Sequence, residues 1–283
     1  MRLTFAKAEG AGNDFICIDR RAGGPARDWG VLARALCCRH TGIGADGILL
    51  LGPPRLADAD ATLYIYNADG SEAAMCGNGV RCAAQYLAAH GAGPGPLALD
   101  TRSAGRRTLY RQGKGMWRVE MGRFSARAAD LPAVGLGAGP LVRCTLAAAQ
   151  QSWDCTCLSM GNPHCVVPWP QGPLPHGARL AALGQALEHH PAFPQGCNVE
   201  FVQPLGSRQL RVRVWERGAG ATLACGTGAC AAAVAMVLRG ACRRGVPVTV
   251  QMPGGELEVT VQPDDTVWLT GPARLVYEGS VVV

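Results

Sequence analysis

The sequence has little lysine, no long apolar run and few charged residues, and each shortage excludes a class of protein. Lysine occurs only at Lys7 and Lys114, so most of the positive charge behind the formal net charge of +6 is scattered arginine. Without a basic helix or stripe, this charge does not indicate nucleic-acid binding. No run approaches the roughly 18 apolar residues of a membrane span. A composition of 17% charged and 48% hydrophobic residues excludes a disordered protein and is typical of a globular one.

Thirteen cysteines are present, but their odd number and their spacing are not typical of a disulfide framework. No Cys-x-x-Cys occurs, and Cys155-Thr156-Cys157 is too closely spaced for a usual zinc knuckle. Residues 1–7 lack the apolar core and cleavage site of a signal peptide, which predicts a cytoplasmic protein with reduced thiols. His189 and His190 end a predicted helix, where the helix dipole favours cations, so we expect no metal site there. Most of the thiols are expected to be small buried core residues.

One motif occurs twice. In each copy a cysteine precedes a Gly-x-Gly turn, and an almost wholly apolar run follows: Cys76-Gly77-Asn78-Gly79 and Cys225-Gly226-Thr227-Gly228. Three pairs of polar positions share the same separation of 149 residues: Asn13 and Asn162, Asn67 and Glu216, Cys76 and Cys225. Three positions in one register, with matching elements around them, predict an internal duplication.

Apolar spacing predicts four helices, and the turns between apolar runs predict short strands. The helices are expected over 28–40, with Asp28 as a candidate N-cap, over 78–89 and 178–189, and from the second motif to Leu238. The strands of the first half are expected at 3–7, 15–18, 48–51, 63–66, 97–101, 107–111 and 116–121, with turns at 103–105 and 112–115. Those of the second half are expected at 165–168, 198–202, 210–215, 246–251, 256–261 and 266–270.

The helix after each cysteine motif is apolar nearly all round, which indicates burial on every side. The strands must then wrap around it as a curved or barrel-like sheet. A stretch rich in glycine, alanine and proline, 122–139, marks a crossing between domains. The sequence therefore predicts an α+β fold of two homologous domains related by a pseudo-twofold axis, each a curved sheet around a central buried helix.

The position of the two cysteines predicts their chemistry. The N-terminus of a helix presents unpaired N–H groups and partial positive charge, so it suits a carboxylate and lowers the pKa of an adjacent thiol. Two such ends facing each other would hold one carboxylate, with a sulfur on each side of the neighbouring carbon. That arrangement suits stereoinversion at the α-carbon of an amino acid. The usual alternative, a pyridoxal phosphate Schiff base, needs a lysine, and neither Lys7 nor Lys114 lies in a phosphate-binding context. We therefore expect no cofactor.

The motifs as a set resemble the diaminopimelate epimerase family, in the same order over the whole chain: Gly12-Asn13-Asp14-Phe15, Asn67-Ala68-Asp69-Gly70-Ser71-Glu72, Cys76-Gly77-Asn78-Gly79-Val80-Arg81-Cys82, Gly161-Asn162-Pro163-His164, Glu216-Arg217-Gly218-Ala219-Gly220 and Ala224-Cys225-Gly226-Thr227-Gly228. The resemblance implies a homodimeric enzyme without a cofactor that interconverts LL- and meso-diaminopimelate, on the route to lysine and peptidoglycan. It also implies an active site between two similar domains, residues 1–120 plus 272–283 and residues 121–271. The first domain includes residues 272–283 because the last strand returns to it.

The resemblance also assigns roles to residues. Cys225 would accept the proton of the LL substrate and Cys76 would donate one, with the roles reversed in the opposite direction. The helix-end contacts to the α-carboxylate would come from Gly77, Asn78, Gly226 and Thr227. The distal end of the substrate would be held by Asn13, Asn67, Asn162, Asn198 and Arg217. Glu216 and His164 would assist proton movement at the thiols, with Glu216 also near the substrate. Tyr277 matches a position of dimer contact.

The sequence departs from the family pattern at two positions, and two other functions are alternatives to the one that the resemblance implies. Gly47 stands where some members have a glutamine that contacts substrate, and Thr227 replaces a serine while keeping the hydroxyl. A related epimerase of the hydroxyproline type is one alternative, although a residue other than Asn78 would then be expected after Cys76-Gly77. A redox protein with a disulfide between the two motif cysteines is the other. Cys82 and Cys230, deeper in the helices, are interpreted as core residues.

Overall fold

The computed structural model describes residues 2–73, 75–101, 105–137 and 139–283. Within these residues the chain forms eighteen β-strands and four α-helices, which confirms the predicted α+β class. It folds as two compact units, Met1–Glu120 with Thr270–Val283, and Met121–Leu269. Most of the predicted turn at 103–105 lies outside the described residues. None of the described helices combines the length and the apolar character that crossing a bilayer requires.

The elements follow the chain in two similar series. The first is β1 (Arg2–Gly10), β2 (Asn13–Asp19), α1 (Trp29–Leu36), β3 (Gly47–Gly52), β4 (Ala61–Asn67), β5 (Glu72–Ala73), α2 (Gly77–Ala89), β6 (Leu97–Thr101), β7 (Gly105–Arg111) and β8 (Met116–Arg123). The second is β9 (Cys144–Ala148), β10 (Gln151–Ser159), β11 (Pro163–Pro168), α3 (Gly177–Glu188), β12 (Asn198–Gly206), β13 (Gln209–Glu216), β14 (Gly220–Thr222), α4 (Gly226–Leu238), β15 (Val248–Met252), β16 (Gly255–Val261), β17 (Thr266–Pro272) and β18 (Arg274–Val282).

In the first unit the sheet surrounds α2. Strand β1 pairs antiparallel with β2 and with the last strand, β18. Strand β2 pairs parallel with β3, where Phe15 is opposite Gly47, and β3 pairs antiparallel with β4, where Gly47 is opposite Asn67. Helix α2 packs against β1, β2, β3, β4, β6 and β18. Its first eight residues are all buried, as predicted for this helix, and they include the polar Asn78 and Arg81.

The second unit repeats this arrangement around α4. Strand β10 pairs antiparallel with β11, and β11 pairs parallel with β12, where His164 is opposite Asn198. Strand β12 continues antiparallel to β13. Helix α4 packs against β10, β11, β12, β13, β15 and β16, and ten of its residues are buried. In β13 the leucine and valines are buried and Arg211 is exposed, as the alternation of the sequence predicts.

Helix α1 and the β9–β10 hairpin differ from the sequence-based expectation, and the short strands β5 and β14 are not part of that expectation. Helix α1 begins at the predicted cap, because Asp28 Oδ1 accepts the N–H of Val31 at 2.9 Å, but it ends at Leu36 instead of His40. The chain reverses there, since the N–H groups of Ile43 and Gly44 both donate to the carbonyl of Leu36.

The hairpin of β9 and β10 is not predicted by the sequence at all. Its two-residue turn, Ala149-Gln150, adopts φ values of 51° and 61°, the left-handed region that usually requires glycine or asparagine. Neither alanine nor glutamine is a residue type that indicates such a turn, so the sequence does not predict this hairpin.

Candidate functional site

The two motif cysteines cap the two central helices in the same way. Cys76 is the N-cap of α2, with extended backbone, and its Sγ accepts the N–H of Gly79 at 3.3 Å. Cys225 is the N-cap of α4, and its Sγ accepts the N–H of Gly228 at 3.3 Å. A thiol thus takes the place that serine or aspartate oxygens usually occupy at an N-cap. Each sulfur therefore accepts an N–H group of the first turn of its helix.

The second glycine of each motif is required by this geometry. A Cβ on Gly79 would lie 3.3 Å from Cys76 Cβ, and one on Gly228 would lie 3.2 Å from Cys225 Cβ. Both distances are tighter than ordinary packing allows. The Gly-x-Gly spacing therefore lets the thiol fold back onto the first turn of its helix.

In the first unit, Asn13 lies beside the thiol. The Sγ of Cys76 donates to Asn13 Oδ1 over 3.8 Å, and Asn13 Nδ2 donates to Asp46 Oδ2 at 2.5 Å. Asp46 is in turn paired with Arg39 Nη2 at 2.7 Å. This chain of contacts fixes the carboxamide so that its oxygen faces the sulfur.

Asp14, the residue after Asn13, belongs to a cluster of charged side chains. Asp14 is paired with Lys7 and with Arg39, each at 2.7 Å. Burial raises the pKa of the Asp14 carboxyl, but the hydrogen bonds of Arg39 and Lys7 outweigh it and lower that pKa to about 2. Lys7 also donates to the carbonyl of Gly44, so one of the two lysines of the chain is held in a structural network.

Asn67 and Asn78 have different surroundings. Asn67, the exposed last residue of β4, donates from Nδ2 to Ser71 Oγ at 2.9 Å. Asn78 is 1% exposed, and its Oδ1 accepts Arg81 Nη2 at 2.6 Å. The side chain of Asn78 is therefore turned into the core, and its backbone N–H is the group left at the helix end. The expectation of a helix that is apolar nearly all round does not include the guanidinium of Arg81, which is fully buried.

In the second unit, His164 is a fully buried strand residue. Its Nδ1 lies 2.7 Å from Glu200 Oε1, and its Nε2 lies 2.9 Å from Asn162 Oδ1. The carboxylate that contacts His164 thus belongs to Glu200, a residue outside the set predicted from the sequence. A single acidic residue within the apolar strand 198–202 is the signal that could have identified it.

The pKa of Cys225 corrects the expectation of a lowered thiol pKa. Cys225 is 8% exposed, and burial together with the carboxylates of Glu216 and Glu200 raises its pKa well above the ordinary value. The hydrogen bond of Thr227 and the N–H of Gly228 oppose this effect but do not overcome it. Glu216 itself accepts the hydroxyl of Thr222 at 2.5 Å. The helix end alone does not decide the proton affinity of this sulfur.

Asn198 connects the remaining motif residues of this unit. It is 4% exposed, and its Nδ2 donates to the carbonyl of Pro163 at 3.1 Å. Its Oδ1 accepts the backbone N–H of Arg217 at 3.0 Å, while the exposed side chain of Arg217 donates to the carbonyl of Gln195 at 3.3 Å. The segments before His164 and after Glu216 are thereby joined.

Gly47 in the first unit is equivalent to Asn198 in the second. Gly47 pairs with Phe15, two residues after Asn13, and Asn198 pairs with His164, two residues after Asn162. A Cβ on Gly47 would lie 2.5 Å from the carbonyl oxygen of Tyr66, so the backbone leaves no room for a side chain. Tyr277, on β18, is 47% exposed, and its ring packs edge-on against Phe5 at 6.0 Å.

Nine of the eleven cysteines other than Cys76 and Cys225 are buried, in keeping with the expected core role. Across the described ranges, no cluster of three or more histidine, cysteine or acidic side chains is placed to hold a metal ion. The groups available at both helix ends are a sulfur and backbone N–H groups, with the amide of Asn13 beside Cys76 and the hydroxyl of Thr227 beside Cys225. They suit a carboxylate and an adjacent exchangeable proton.

Comparison with known sequences gives one consistent family. The profile of the family described as diaminopimelate epimerase matches residues 5–126 and 156–276. The diaminopimelate epimerase of Synechococcus sp. (strain JA-2-3B'a(2-13)) is 45% identical over 283 residues, covering 99% of this chain and 98% of the relative. That of Synechocystis sp. (strain PCC 6803) is 43% identical over 286 residues, covering 100% of both.

Comparison with solved structures shows the same fold at low sequence identity. A hydroxyproline epimerase from Agrobacterium vitis aligns with a TM-score of 0.67 at 17% identity, covering 99% of this chain and 91% of that one. A phenazine biosynthesis protein from Bacillus anthracis aligns with a TM-score of 0.68 at 13% identity, covering 100% of both chains.

Proposed function

Because this chain belongs to the diaminopimelate epimerase family and is an epimerase, we propose that it interconverts LL- and meso-diaminopimelate by a two-thiol mechanism without a cofactor. The observation that carries the proposal is the pair of cysteine-capped helices. Each presents a sulfur beside backbone N–H groups at the same place in two similar units. The reaction supplies an intermediate of lysine and peptidoglycan synthesis.

In the proposed reaction, the thiolate of Cys225 removes the α-proton of the LL isomer and the thiol of Cys76 delivers a proton to the opposite face. The reverse direction exchanges these roles. The α-hydrogen of an amino acid is far less acidic than a thiol, so the developing carbanion must be stabilised by fixed dipoles. The N–H groups at Gly77, Asn78, Gly226 and Thr227 are suited to bind the adjacent carboxylate.

The other proposed contacts follow the surroundings of each residue. Asn13 and Asn162 would help to hold the distal end of the substrate; Asn13 also contacts Cys76, and Asn162 contacts His164. Asn67 and Arg217 have exposed side chains that suit the distal amino-acid group, and Asn198 holds the backbone of Arg217 in place. Glu216 and His164 would assist proton movement at Cys225, which is supported by the effect of Glu216 on that thiol.

The direct test is incubation of the reduced protein with LL-diaminopimelate in deuterium oxide, without added cofactor. The expected result is one deuterium at an α-carbon of newly formed meso-diaminopimelate, measured by mass spectrometry and chiral chromatography. A parallel incubation with trans-4-hydroxy-L-proline is the specificity control. Absence of exchange with diaminopimelate, or inversion of hydroxyproline alone, would contradict the proposed substrate.

We also propose that the protein acts as a cytoplasmic homodimer in which Tyr277 contributes to the subunit contact. Strand β18 presents exposed Val276, Tyr277 and Val282, and exposed apolar side chains grouped on one strand are typical of a protein interface. The expected mass by light scattering is twice 29.5 kDa, and Tyr277→Arg is expected to halve it. Leu223→Arg, at another exposed apolar position, is the matched control. A monomeric wild-type protein would contradict the proposal.

A further inference from the structure

The first turns of helices α2 and α4 differ at one equivalent position next to the thiol. A Cβ on Gly79 would lie 3.0 Å from Leu49 Cδ2 and 3.6 Å from Cys76 Sγ. A Cβ on Gly228 would lie 2.9 Å from Glu200 Oε1 and 3.3 Å from Cys225 Sγ. Leucine in the first unit and glutamate in the second therefore occupy the same place against the first turn of the helix.

The strand registers give the same equivalence. Leu49 lies two residues after Gly47 on β3, and Glu200 lies two residues after Asn198 on β12. The β-strand partner of Gly47 is Phe15, whereas that of Asn198 is His164. A phenylalanine and a leucine in one unit thus correspond to a hydrogen-bonded histidine and glutamate in the other. The two units therefore share the same strand framework, but these two positions are apolar in the first unit and polar in the second.

Burying the carboxylate of Glu200 costs free energy. Glu200 is fully buried; its Oε1 contacts His164 Nδ1, but its Oε2 is buried and has no hydrogen-bond partner among the residues that the structure describes. A buried carboxylate with one unsatisfied oxygen costs free energy, and an apolar residue in the same place is usually at least as stabilising. Leu49 shows that the framework accepts an apolar residue there. Packing therefore does not account for Glu200.

The groups that face Glu200 and Cys225 come from four strands and the helix. Glu200 faces His164 from β11, Glu216 from β13 and Cys157 from β10; burial raises the pKa of its carboxyl, and His164 opposes this rise. Cys225 faces Glu216 from β13 and Glu200 from β12, with Thr227 from its own helix. Two carboxylates thus lie near one sulfur, and both disfavour its ionised form.

We propose that Glu200 is a positioning residue, which fixes the ring of His164 through Nδ1 and holds Cys225 as a protonated thiol before substrate binds. The proposal deepens the two-thiol mechanism and rests on it for its role in turnover. A sulfur held in the protonated form is ready to donate its proton when the meso isomer is converted to the LL isomer. In the opposite direction the thiol first gives its proton to the neighbouring carboxylate of Glu216, and the resulting thiolate is a stronger base toward an unacidic α-proton than one of ordinary pKa. In the first unit the equivalent residue on β3 is Leu49, which carries no charge that could act on the thiol of Cys76.

The test that needs no substrate is the pH dependence of thiol alkylation by iodoacetamide, with the modified peptides quantified by mass spectrometry. In the wild type, the midpoint for Cys225 is expected above the value of about 8.5 of an ordinary thiol. In Glu200→Gln, which keeps the shape and removes the charge, the midpoint is expected to fall by about one pH unit. Below the midpoint, modification then becomes roughly tenfold faster. The profile of Cys76 is expected to stay unchanged, and Glu258→Gln, at an exposed position of the same unit, is expected to match the wild type.

Two outcomes would overturn the proposal. The first is a wild-type midpoint for Cys225 at or below that of an ordinary thiol, a result that requires no variant to fold. The second is an unchanged Cys225 profile in folded Glu200→Gln, with folding checked by circular dichroism. Because alkylation does not depend on turnover, a protein that fails to epimerise diaminopimelate would contradict the proposed function and still leave this test decisive.

Turnover then tests the positioning of His164. Glu200→Leu copies the residue of the first unit and removes the hydrogen bond to Nδ1. It is expected to lower kcat by about 10- to 100-fold with little change in KM, within the range of acid–base assistance. Glu200→Gln, which retains an acceptor for the ring, is expected to lose less and to show a pH–rate profile shifted toward lower pH. Equal losses in both variants with an unshifted profile would reduce Glu200 to a structural role and contradict the proposal.

Discussion

The carboxamide of Asn198 joins Arg217 to the motif that contains His164. Its oxygen accepts the backbone N–H of Arg217 at 3.0 Å, and its nitrogen donates to the carbonyl of Pro163 at 3.1 Å. Both partners lie at ends of strands that carry proposed site residues. One buried side chain therefore sets the distance between the segment of His164 and the segment of Arg217.

This relationship predicts the effect of Asn198→Ala. The loss of two buried hydrogen bonds is expected to destabilise the protein by about 1–3 kcal/mol and to raise KM for diaminopimelate several-fold, because the loop of Arg217 is released. Asn198→Asp keeps the acceptor for Arg217 but not the donor for Pro163, so an intermediate KM is expected. Steady-state kinetics and urea denaturation measure the two effects. An unchanged KM in Asn198→Ala would show that the bridge does not position the substrate.

The two-thiol mechanism predicts that Cys76→Ala and Cys225→Ala each lose inversion while keeping the fold. Removal of one acid–base group is expected to reduce kcat by about 10²–10⁴-fold or more. Cys38→Ala, the exposed cysteine, is the matched control and is expected to keep full activity. The assay is formation of meso-diaminopimelate by reduced protein. Full turnover by either motif variant would exclude its sulfur from the reaction.

The buried guanidinium of Arg81 predicts a difference between the two central helices. It donates to the carbonyls of Gly77 and Pro272 and to the side chain of Asn78, and all three acceptors belong to the first unit. Arg81→Met is expected to lower the free energy of unfolding by about 2–4 kcal/mol, because buried acceptors are left unsatisfied.

The equivalent position in the second unit supplies the control for Arg81. It is Cys230, 149 residues later, which is fully buried in α4. Cys230→Ala, a small truncation, is expected to cost no more than about 1–2 kcal/mol. Urea denaturation followed by circular dichroism compares the two variants. Equal losses would contradict the structural role assigned to Arg81.

The charge cluster at Asp14 predicts a pH dependence of stability. The pKa of this carboxyl is about 2 in the folded protein, against 3.8 ordinarily, so its stabilising effect is complete above about pH 4 and is lost as pH falls toward 2. Asp14→Asn is therefore expected to be less stable than the wild type by about 1 kcal/mol at pH 7, after allowance for solvent screening. The difference is expected to shrink between pH 4 and pH 2. A difference that stays constant over this interval, in urea titrations with Glu258→Gln as control, would contradict the assignment.

Much of the local structure could be predicted because its signals lie within a few residues of one another. Asp28 caps α1, and the two cysteine motifs start α2 and α4, since a cap and the turn that follows it are set by adjacent side chains. The β9–β10 hairpin could not be predicted, because Ala149 and Gln150 take left-handed conformations that only the pairing of their strands imposes.

The sequence by itself determined the duplication, the buried central helices and the position of each thiol at a helix end. These follow from spacing and from apolar periodicity, which act locally along the chain. Only the tertiary structure decided that Glu200 contacts His164, that Leu49 takes the equivalent place, and that the pKa of Cys225 is raised. Contacts between strands far apart in sequence, and the burial they create, set the proton affinity of a side chain. The motif around Cys225 specifies neither these contacts nor this burial.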